Sequence, residues 1–386
     1  MRKAFMFLVA ALLLAACGGA TPAAGPLGQI SAVEAVGGSG AAGFARATRP
    51  RQFVFPQDHG PHQEYATEWW YYTGNLSAAD GRHFGYQLTF FRFGLAPKPA
   101  ERASDWGASN IYMAHFALSD VAGKQFYAFD RFSRDAAGLA GAQGDPFRVW
   151  LEGWSAEGVG GATPMRLRAQ QGEVAIDLTL DAGKPVVLQG DRGLSQKSAE
   201  PGNASYYYSL TRMPTRGSVA AGGARYDVSG LSWMDREWST SSLAANVAGW
   251  DWFALQLADG RDLMYFQLRQ KSGAADSYSS GTLIAADGTA TPIARDDARI
   301  DVLGTWQSPR SGGAYPSTWR LRVASAGIDL TITPYLADQE LPLATVYWEG
   351  AVRFEGTAGG QPASGSGYVE LTGYAEQQGQ ENVRVR

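Results

Sequence analysis

Beyond residue 43, the sequence is a succession of short runs in which apolar or aromatic residues alternate with polar ones. Turn-forming residues separate these runs, for example at Ala79-Asp80-Gly81-Arg82. Such runs are typical of β-strands joined by hairpin turns. No long stretch of this region places apolar residues at the spacing of a helix. We therefore predict an all-β fold built from antiparallel barrels or sandwiches.

A chain of 386 residues is long enough for two domains that each bury a core. One pattern occurs twice, about 180 residues apart: an aromatic run, an Asp-Gly-Arg turn and a strand ending in arginine. The copies span residues 69–92 and 250–269. This repeat predicts tandem domains at 44–240 and 241–386, although two unrelated hairpins with a common turn would give the same pattern.

The many aromatic residues are relevant to whether such domains bind an apolar ligand. The chain has 12 Trp, 17 Tyr and 17 Phe residues. A closed sheet of about eight to ten strands has an interior wide enough for one apolar ligand, and aromatic side chains suit its wall. The same side chains would equally well fill two solid cores. The pattern of residues leaves both interpretations open.

The first sixteen residues have the features of an export signal. Arg2 and Lys3 precede an apolar run at 4–16, which is too short for a membrane-spanning helix. Leu14-Ala15-Ala16-Cys17 resembles the lipobox of bacterial lipoproteins. The resemblance implies a signal peptide at 1–16, lipidation of Cys17 and a membrane anchor, with Gly18 favouring the outer membrane facing the periplasm. An ordinary secretory signal with an incidental cysteine is the alternative.

Residues 17–43 are dominated by Gly, Ala, Pro and Ser and predict a flexible tether. Residues 38–43 match the spacing GxGxxG, but no strand precedes them and no acidic residue follows at the right distance. We therefore expect no dinucleotide cofactor. The formal net charge is −4, which provides no basic surface for a nucleic-acid partner.

The common catalytic motifs are missing from the sequence. It contains no GxSxG, HExxH, CxxC or phosphate-binding loop, and its only cysteine is Cys17. The four histidines are His59, His62, His83 and His115. His59 and His62 flank a Gly-Pro turn, which is weak geometry for a metal site. We expect neither a metal nor a cofactor.

Acidic residues set among tryptophans are the strongest indication of chemistry. In a strand covering 233–238, Trp233, Asp235 and Glu237 share one face. A carboxyl group buried beside a tryptophan has a raised pKa and becomes a proton donor. Asp251 lies between Trp250 and Trp252, and Glu68 precedes Trp69 in the same way. The alternative for each acid is an ion pair with an arginine, for which the sequence offers Arg92, Arg236, Arg261 and Arg269.

Several tryptophan-rich blocks, in order, resemble the CrtC/AttH family, which includes the carotenoid 1,2-hydratases. The resemblance extends from about residue 50 to 375. The blocks are Glu68-Trp69-Trp70-Tyr71-Tyr72-Thr73-Gly74-Asn75-Leu76, Tyr86-Gln87-Leu88-Thr89-Phe90-Phe91-Arg92, the segments 233–238 and 249–257, and Gly367-Tyr368-Val369-Glu370-Leu371-Thr372-Gly373-Tyr374.

The resemblance implies two tandem lipocalin-like barrels and a cofactor-free lyase that adds water to a C=C bond of an apolar isoprenoid or carotenoid. Asp235 would be the general acid, Asp251 its alternate, and Glu237 would orient water or pair with an arginine. The residues expected to bind the substrate are Trp69, Trp70, Tyr72, Trp233, Trp250 and Trp252. The competing interpretations are a non-catalytic carrier lipoprotein for an apolar ligand of the cell envelope, and a scaffold for protein contacts.

Overall fold

The structure, a computed structural model, describes residues 42–98, 104, 106–240, 243–244 and 246–375. The predicted signal peptide at 1–16, the lipidation site Cys17 and nearly all of the tether at 17–43 lie outside these residues. The described residues form β-strands, turns and a single 3-10 turn at Gln57–His59. None of them builds a helix with the length and apolar character needed to span a membrane.

The first sheet contains 13 antiparallel strands in the order β4-β3-β2-β1-β13-β12-β9-β8-β7-β6-β5, with β10 and β11 also paired to β12. Their bounds are β1 Thr67–Ala78, β2 His83–Gly94, β3 Asn110–Asp120, β4 Gln125–Arg134, β5 Ala140–Gly144, β6 Phe147–Leu151, β7 Trp154–Gly158, β8 Met165–Gln171, β9 Val174–Leu180, β10 Val187–Leu188, β11 Leu194–Gln196, β12 Ala204–Ala221 and β13 Ala224–Ser239.

The second sheet contains 10 antiparallel strands in the order β17-β16-β15-β14-β23-β22-β20-β19-β18, with β21 also paired to β22. Their bounds are β14 Val247–Leu257, β15 Asp262–Gln270, β16 Ser280–Ile284, β17 Ala290–Ala294, β18 Ala298–Gln307, β19 Ala314–Val323, β20 Ile328–Pro334, β21 Glu340–Pro342, β22 Val346–Ala358 and β23 Gln361–Leu371.

The two sheets share the topology of their central strands. In each one, the first strand lies between the second strand and the last strand, as β2-β1-β13 and as β15-β14-β23. The repeated Asp-Gly-Arg turns close the hairpins β1–β2 and β14–β15. The predicted all-β fold of two tandem lipocalin-like barrels is confirmed. The exact domain limits stay a prediction.

The interiors of both sheets are filled by side chains. Trp70, Leu88 and Phe116 lie in the core of the first sheet, and Phe253 and Trp319 lie in the core of the second. The strand β9 buries every second residue, as expected for a strand with one face on a core. Each fully buried large apolar side chain contributes about 1.5–3 kcal/mol. The barrels are therefore packed bodies rather than open cups.

The outer faces of the two sheets meet at a third apolar cluster, which includes Tyr71, Trp233, Trp252 and Phe266. There β1 packs against β23, and β12 packs against β14. Polar contacts also cross between the sheets. The carboxylate of Asp262, for example, accepts hydrogen bonds from side chains of the first sheet. This interface creates the space that is described next.

Candidate functional site

A cavity of about 140 Å³ lies between the two sheets rather than inside either barrel. Its volume is close to that of an apolar protein cavity of roughly 150 Å³ that holds one benzene ring. The wall is mostly aromatic and comes from both sheets, with Trp69, Tyr71, Phe91, Tyr207, Trp250 and Trp252. Four carboxyl groups interrupt this wall, those of Asp235, Glu237, Glu349 and Glu370.

Strand β1 supplies side chains to two different environments because neighbouring residues of a strand point to opposite faces. Trp69 and Tyr71 line the cavity. Trp70 and Tyr72 point the other way, are fully buried and belong to the core of the first sheet. The structure therefore corrects the predicted substrate-binding set by removing Trp70 and Tyr72.

Asp235 on β13 has the environment predicted for a proton donor. It is 4% exposed, and its carboxyl accepts hydrogen bonds from Tyr207 Oη at 2.5 Å, Ser209 Oγ at 2.6 Å and Trp233 Nε1 at 2.7 Å. Among the described residues, no arginine or lysine forms an ion pair with it. Burial raises the pKa of Asp235 to about 7, although the three hydrogen bonds lower it. Near neutral pH this carboxyl is therefore populated in both protonation states.

Trp233 acts on the site through Asp235. It belongs to the apolar cluster between the sheets rather than to the cavity wall, which corrects its predicted role in substrate binding. Its indole N–H donates to the Asp235 carboxyl. The alternation that placed Trp233, Asp235 and Glu237 on one face is thus seen in the structure.

Glu237 lines the cavity and is paired with a cation. Lys197 Nζ lies 3.4 Å from its Oε1, and the Ser205 hydroxyl donates a hydrogen bond to the same oxygen. Lys197 Nζ also lies 4.4 Å from the centre of the Phe266 ring. Of the two roles predicted for Glu237, the structure thus supplies a basic partner, which is a lysine rather than an arginine.

Asp251 does not reach the cavity, although its neighbours Trp250 and Trp252 do. Its carboxyl faces the opposite side of β14, where it pairs with Arg269 Nε at 2.8 Å and accepts a hydrogen bond from Tyr374 Oη at 3.0 Å. Burial raises the pKa of Asp251, and the Arg269 charge opposes this shift. The structure therefore corrects the expectation that Asp251 is an alternate acid at the site.

Glu68 takes part in a buried charge cluster beneath the first sheet. Its carboxylate pairs with Arg92 and Arg236, and all three side chains have no exposed surface. Burial alone would raise the pKa of Glu68, but the two guanidinium groups outweigh it and hold this pKa well below its usual range. His62 joins the cluster through its backbone N–H, which donates to the same carboxylate. This cluster fastens the segment before β1 to the sheet.

Glu349 and Glu370 are site residues that the sequence analysis did not single out. They lie directly opposite each other on β22 and β23. The Tyr71 hydroxyl donates a hydrogen bond to Glu349, and Trp250 Nε1 donates one to Glu370 at 2.6 Å. Burial and the neighbouring Glu370 raise the pKa of Glu349 well above its usual value, and burial raises the pKa of Glu370 to about 7. The sequence feature that could have identified these residues is an acid in the middle of an apolar strand, as in Val369-Glu370-Leu371.

His115 contributes a neutral imidazole to the wall. It is 1% exposed, and its Nδ1 lies 2.8 Å from Tyr347 Oη. Burial lowers the pKa of His115 to about 4, so it is uncharged at neutral pH. Within the part of the chain that the structure describes, no three His, Cys, Asp or Glu side chains converge in a geometry for a metal ion.

The family model for AttH-like proteins matches residues 46–374, which include both sheets and every residue of the cavity wall. The chain belongs to the AttH-like family. A solved AttH protein from Nitrosomonas europaea is 34% identical to this AttH-like chain, with a TM-score of 0.75, and the match covers 86% of this chain and 100% of the other. No curated protein sequence matches significantly.

Two further solved structures share the AttH-like fold. Kievitone hydratase from Nectria haematococca has a TM-score of 0.65 at 16% identity, and the match covers 86% of this chain and 97% of the hydratase. CghA has a TM-score of 0.53 at 13% identity, over 86% of this chain and 96% of its own. At these identities the likeness shows a common fold, and one of the two proteins that share it is a hydratase.

Proposed function

We propose that this AttH-like protein is a cofactor-free hydro-lyase that adds water to a C=C bond of an apolar unsaturated substrate, such as an isoprenoid or a carotenoid. One observation carries the proposal: the Asp235 carboxyl lines an aromatic cavity, is nearly fully buried and has no cationic partner among the described residues. A carboxyl in such surroundings keeps a proton near neutral pH, which is what protonation of an alkene requires. The shared fold with a hydratase adds support.

The reaction proceeds in two steps on this proposal. Neutral Asp235 transfers its proton to one carbon of the double bond, and the other carbon becomes a tertiary cation. The faces of Trp69, Tyr71 and Trp252 line the space where this cation forms and stabilise its charge. A water molecule then adds to the cation and loses a proton, which yields the alcohol.

The hydrogen bonds to Asp235 assist the first step. The donors Tyr207, Ser209 and Trp233 all point at the carboxyl oxygens, so they stabilise the carboxylate that remains after proton transfer. They also limit how far burial raises the pKa of Asp235. The side chain is thereby kept acidic enough to protonate an alkene and still protonated near neutral pH.

Mass spectrometry of isoprenoid and polyene extracts incubated with purified protein tests the proposal. We expect the wild type to produce compounds heavier by one water, and Asp235→Asn to lower this rate by about 100-fold or more. Asp329→Asn is the matched control, because it alters a half-exposed aspartate that pairs with Arg320 far from the cavity wall. A wild type that binds the extract components without adding water would instead identify a carrier.

We also propose that Cys17 anchors the protein by a lipid to the outer membrane, facing the periplasm. The lipobox-like sequence at residues 14–17 supports this location. Fractionation of cells that express the wild type and Cys17→Ser tests it. The wild type should follow the outer membrane, and the variant should not. Equal distribution of both proteins would contradict the anchor.

A further inference from the structure

We propose that Glu349 and Glu370 together form the base of the hydration: they hold the attacking water, and Glu370 accepts its proton. This inference rests on the proposed hydratase function and assigns its second step. Asp235 and the Glu349–Glu370 pair would then be two separate proton-transfer groups, which line the cavity from different sheets.

The pairing of the strands places the two glutamates together. Residues directly opposite each other in an antiparallel ladder have Cβ atoms about 4.5–5.5 Å apart and point to the same face. Glu349 and Glu370 are such partners on β22 and β23, and both line the cavity. Among the described residues, neither forms an ion pair, and Lys197 pairs with Glu237. Two neighbouring acids without a cation cannot both ionise at low cost, so the pair retains one proton.

The two glutamates differ in burial, since both accept hydrogen bonds. Glu349 is fully buried, and its Oε1 accepts a hydrogen bond from the Tyr71 hydroxyl. Glu370 is less buried, which makes its ionised form less costly than that of Glu349, and it accepts an N–H from Trp250. The shared proton therefore resides on Glu349, which can donate to a water oxygen, while the Glu370 carboxylate can accept from the same water.

The repeat relates Glu370 to Asp235. Asp235 lies on the last strand of the first sheet, opposite Tyr71 on the first strand. Glu370 lies on the last strand of the second sheet, opposite Trp252 on the first strand. The two acids thus lie on equivalent strands of the two barrels, and the packing of the barrels brings both to one cavity. Each barrel supplies one proton-transfer group.

The proton balance of the cycle closes without a co-reactant. Asp235 gives its proton to the alkene and becomes a carboxylate. The C–O bond then forms between water and the cation, and the O–H bond that breaks leaves its proton on Glu370. Transfer of that proton from Glu370 to Asp235 restores the starting state. Both groups line the same cavity.

Titration of the glutamates by carbon NMR, with ¹³C at the side-chain carboxyl, tests the pair without any substrate. The titratable groups around the pair are Tyr71, His115, Lys197, Tyr207, Asp235, Glu237, Tyr347 and Tyr368. We expect one glutamate that stays protonated at neutral pH and disappears in Glu349→Gln, and one that titrates near neutral pH and disappears in Glu370→Gln. If every glutamate is ionised at neutral pH in the wild type, the proposal is wrong.

A milder variant serves if either glutamine substitution prevents folding. Trp250→Phe keeps an aromatic ring in the wall and removes the N–H that donates to Glu370. The titration assigned to Glu370 should then move to higher pH. No movement would contradict the assignment.

The extract component that gains one water is next incubated with the protein in heavy water. This experiment distinguishes the role of Asp235 from that of Glu370. Glu370→Gln should lower hydration by about 100-fold while the recovered alkene still takes up deuterium, because Asp235 protonates it reversibly. Asp235→Asn should lose both hydration and deuterium uptake. Unchanged hydration in Glu370→Gln, or loss of deuterium uptake with it, would overturn the base role and leave the hydratase function standing. A wild type with the predicted titration but no hydration would mark failure of the proposed function itself.

Discussion

Trp252, in the second sheet, donates a hydrogen bond from its indole Nε1 to the hydroxyl of Tyr207, in the first sheet, at 3.1 Å. That hydroxyl in turn donates to Asp235 Oδ2 at 2.5 Å. The proposed acid is therefore positioned by both domains, and neither domain alone contains the complete arrangement. This explains why the cavity lies at the interface, where each sheet contributes residues that the other orients.

Tyr207→Phe should raise the pKa of Asp235 above its value of about 7, because the substitution removes a donor that stabilises the carboxylate. Titration of ¹³C-labelled aspartate should show the shift, and any hydration activity should extend to higher pH. Tyr206→Phe is the matched control, since that hydroxyl donates to the Arg49 carbonyl and not to the site. An unchanged aspartate titration in Tyr207→Phe would show that this hydrogen bond does not set the acidity.

Asp235→Asn should stabilise the protein at mildly alkaline pH. The pKa of Asp235 rises from 3.8 to about 7 on folding. The protonated group therefore contributes stability that is fully present below pH 3.8 and is lost as pH rises through about 7. Asparagine cannot ionise, so the free energy of unfolding of the variant should increase relative to that of the wild type as pH rises from about 5 to about 8. Each kcal/mol corresponds to roughly 2–4 °C in melting temperature, which calorimetry detects.

Asp329→Asn provides the control for this pH comparison. The hydrogen bond and charge of Arg320 lower the pKa of Asp329, so its contribution is lost only as pH falls through that lowered value. Asp329→Asn should therefore change the melting temperature by the same amount at about pH 5 and at about pH 8. A variant of Asp235 that behaves like this control would show that Asp235 is ionised throughout.

An apolar tertiary amine should bind the cavity more tightly than the alcohol of the same shape. Four carboxyl groups and several aromatic faces line the wall, and Lys197 is the cation that lines it among the described residues. An ammonium group over aromatic rings gains about 0.5–2 kcal/mol, so we expect a preference of about tenfold. Quenching of tryptophan fluorescence measures both affinities. Equal affinities would mean that the site does not favour a cation, and would weaken the carbocation mechanism.

The sequence was sufficient to predict the strands and the shared face of Asp235 and Glu237 because these follow from alternation along single strands. The tandem arrangement was predicted from the repeated Asp-Gly-Arg pattern. Alternation does not reveal which face of a strand meets the other domain. For that reason Trp70, Tyr72 and Asp251 were assigned to the site, while Glu349 was missed. Their positions depend on the packing of one sheet against the other, which brings together residues as far apart in the chain as Tyr71 and Glu349.

Trp69 and Trp70 offer a direct test of the two faces of β1. Trp69 lines the cavity, whereas Trp70 is fully buried in the first core and donates from its Nε1 to the His59 carbonyl at 2.8 Å. Trp70→Ala should cost about 3–5 kcal/mol of stability, because it leaves a large cavity in the core. Trp69→Ala should instead weaken binding of the apolar amine while costing much less stability.

Denaturant unfolding and fluorescence titration, applied to both variants, separate these effects. Trp70→Ala should still bind the amine with wild-type affinity under conditions where it remains folded, since its side chain does not reach the cavity wall. If Trp70→Ala loses binding while folded and Trp69→Ala keeps it, the ligand lies in the barrel interior. The cavity between the sheets would then not be the binding site, and the roles proposed for Asp235, Glu349 and Glu370 would fall with it.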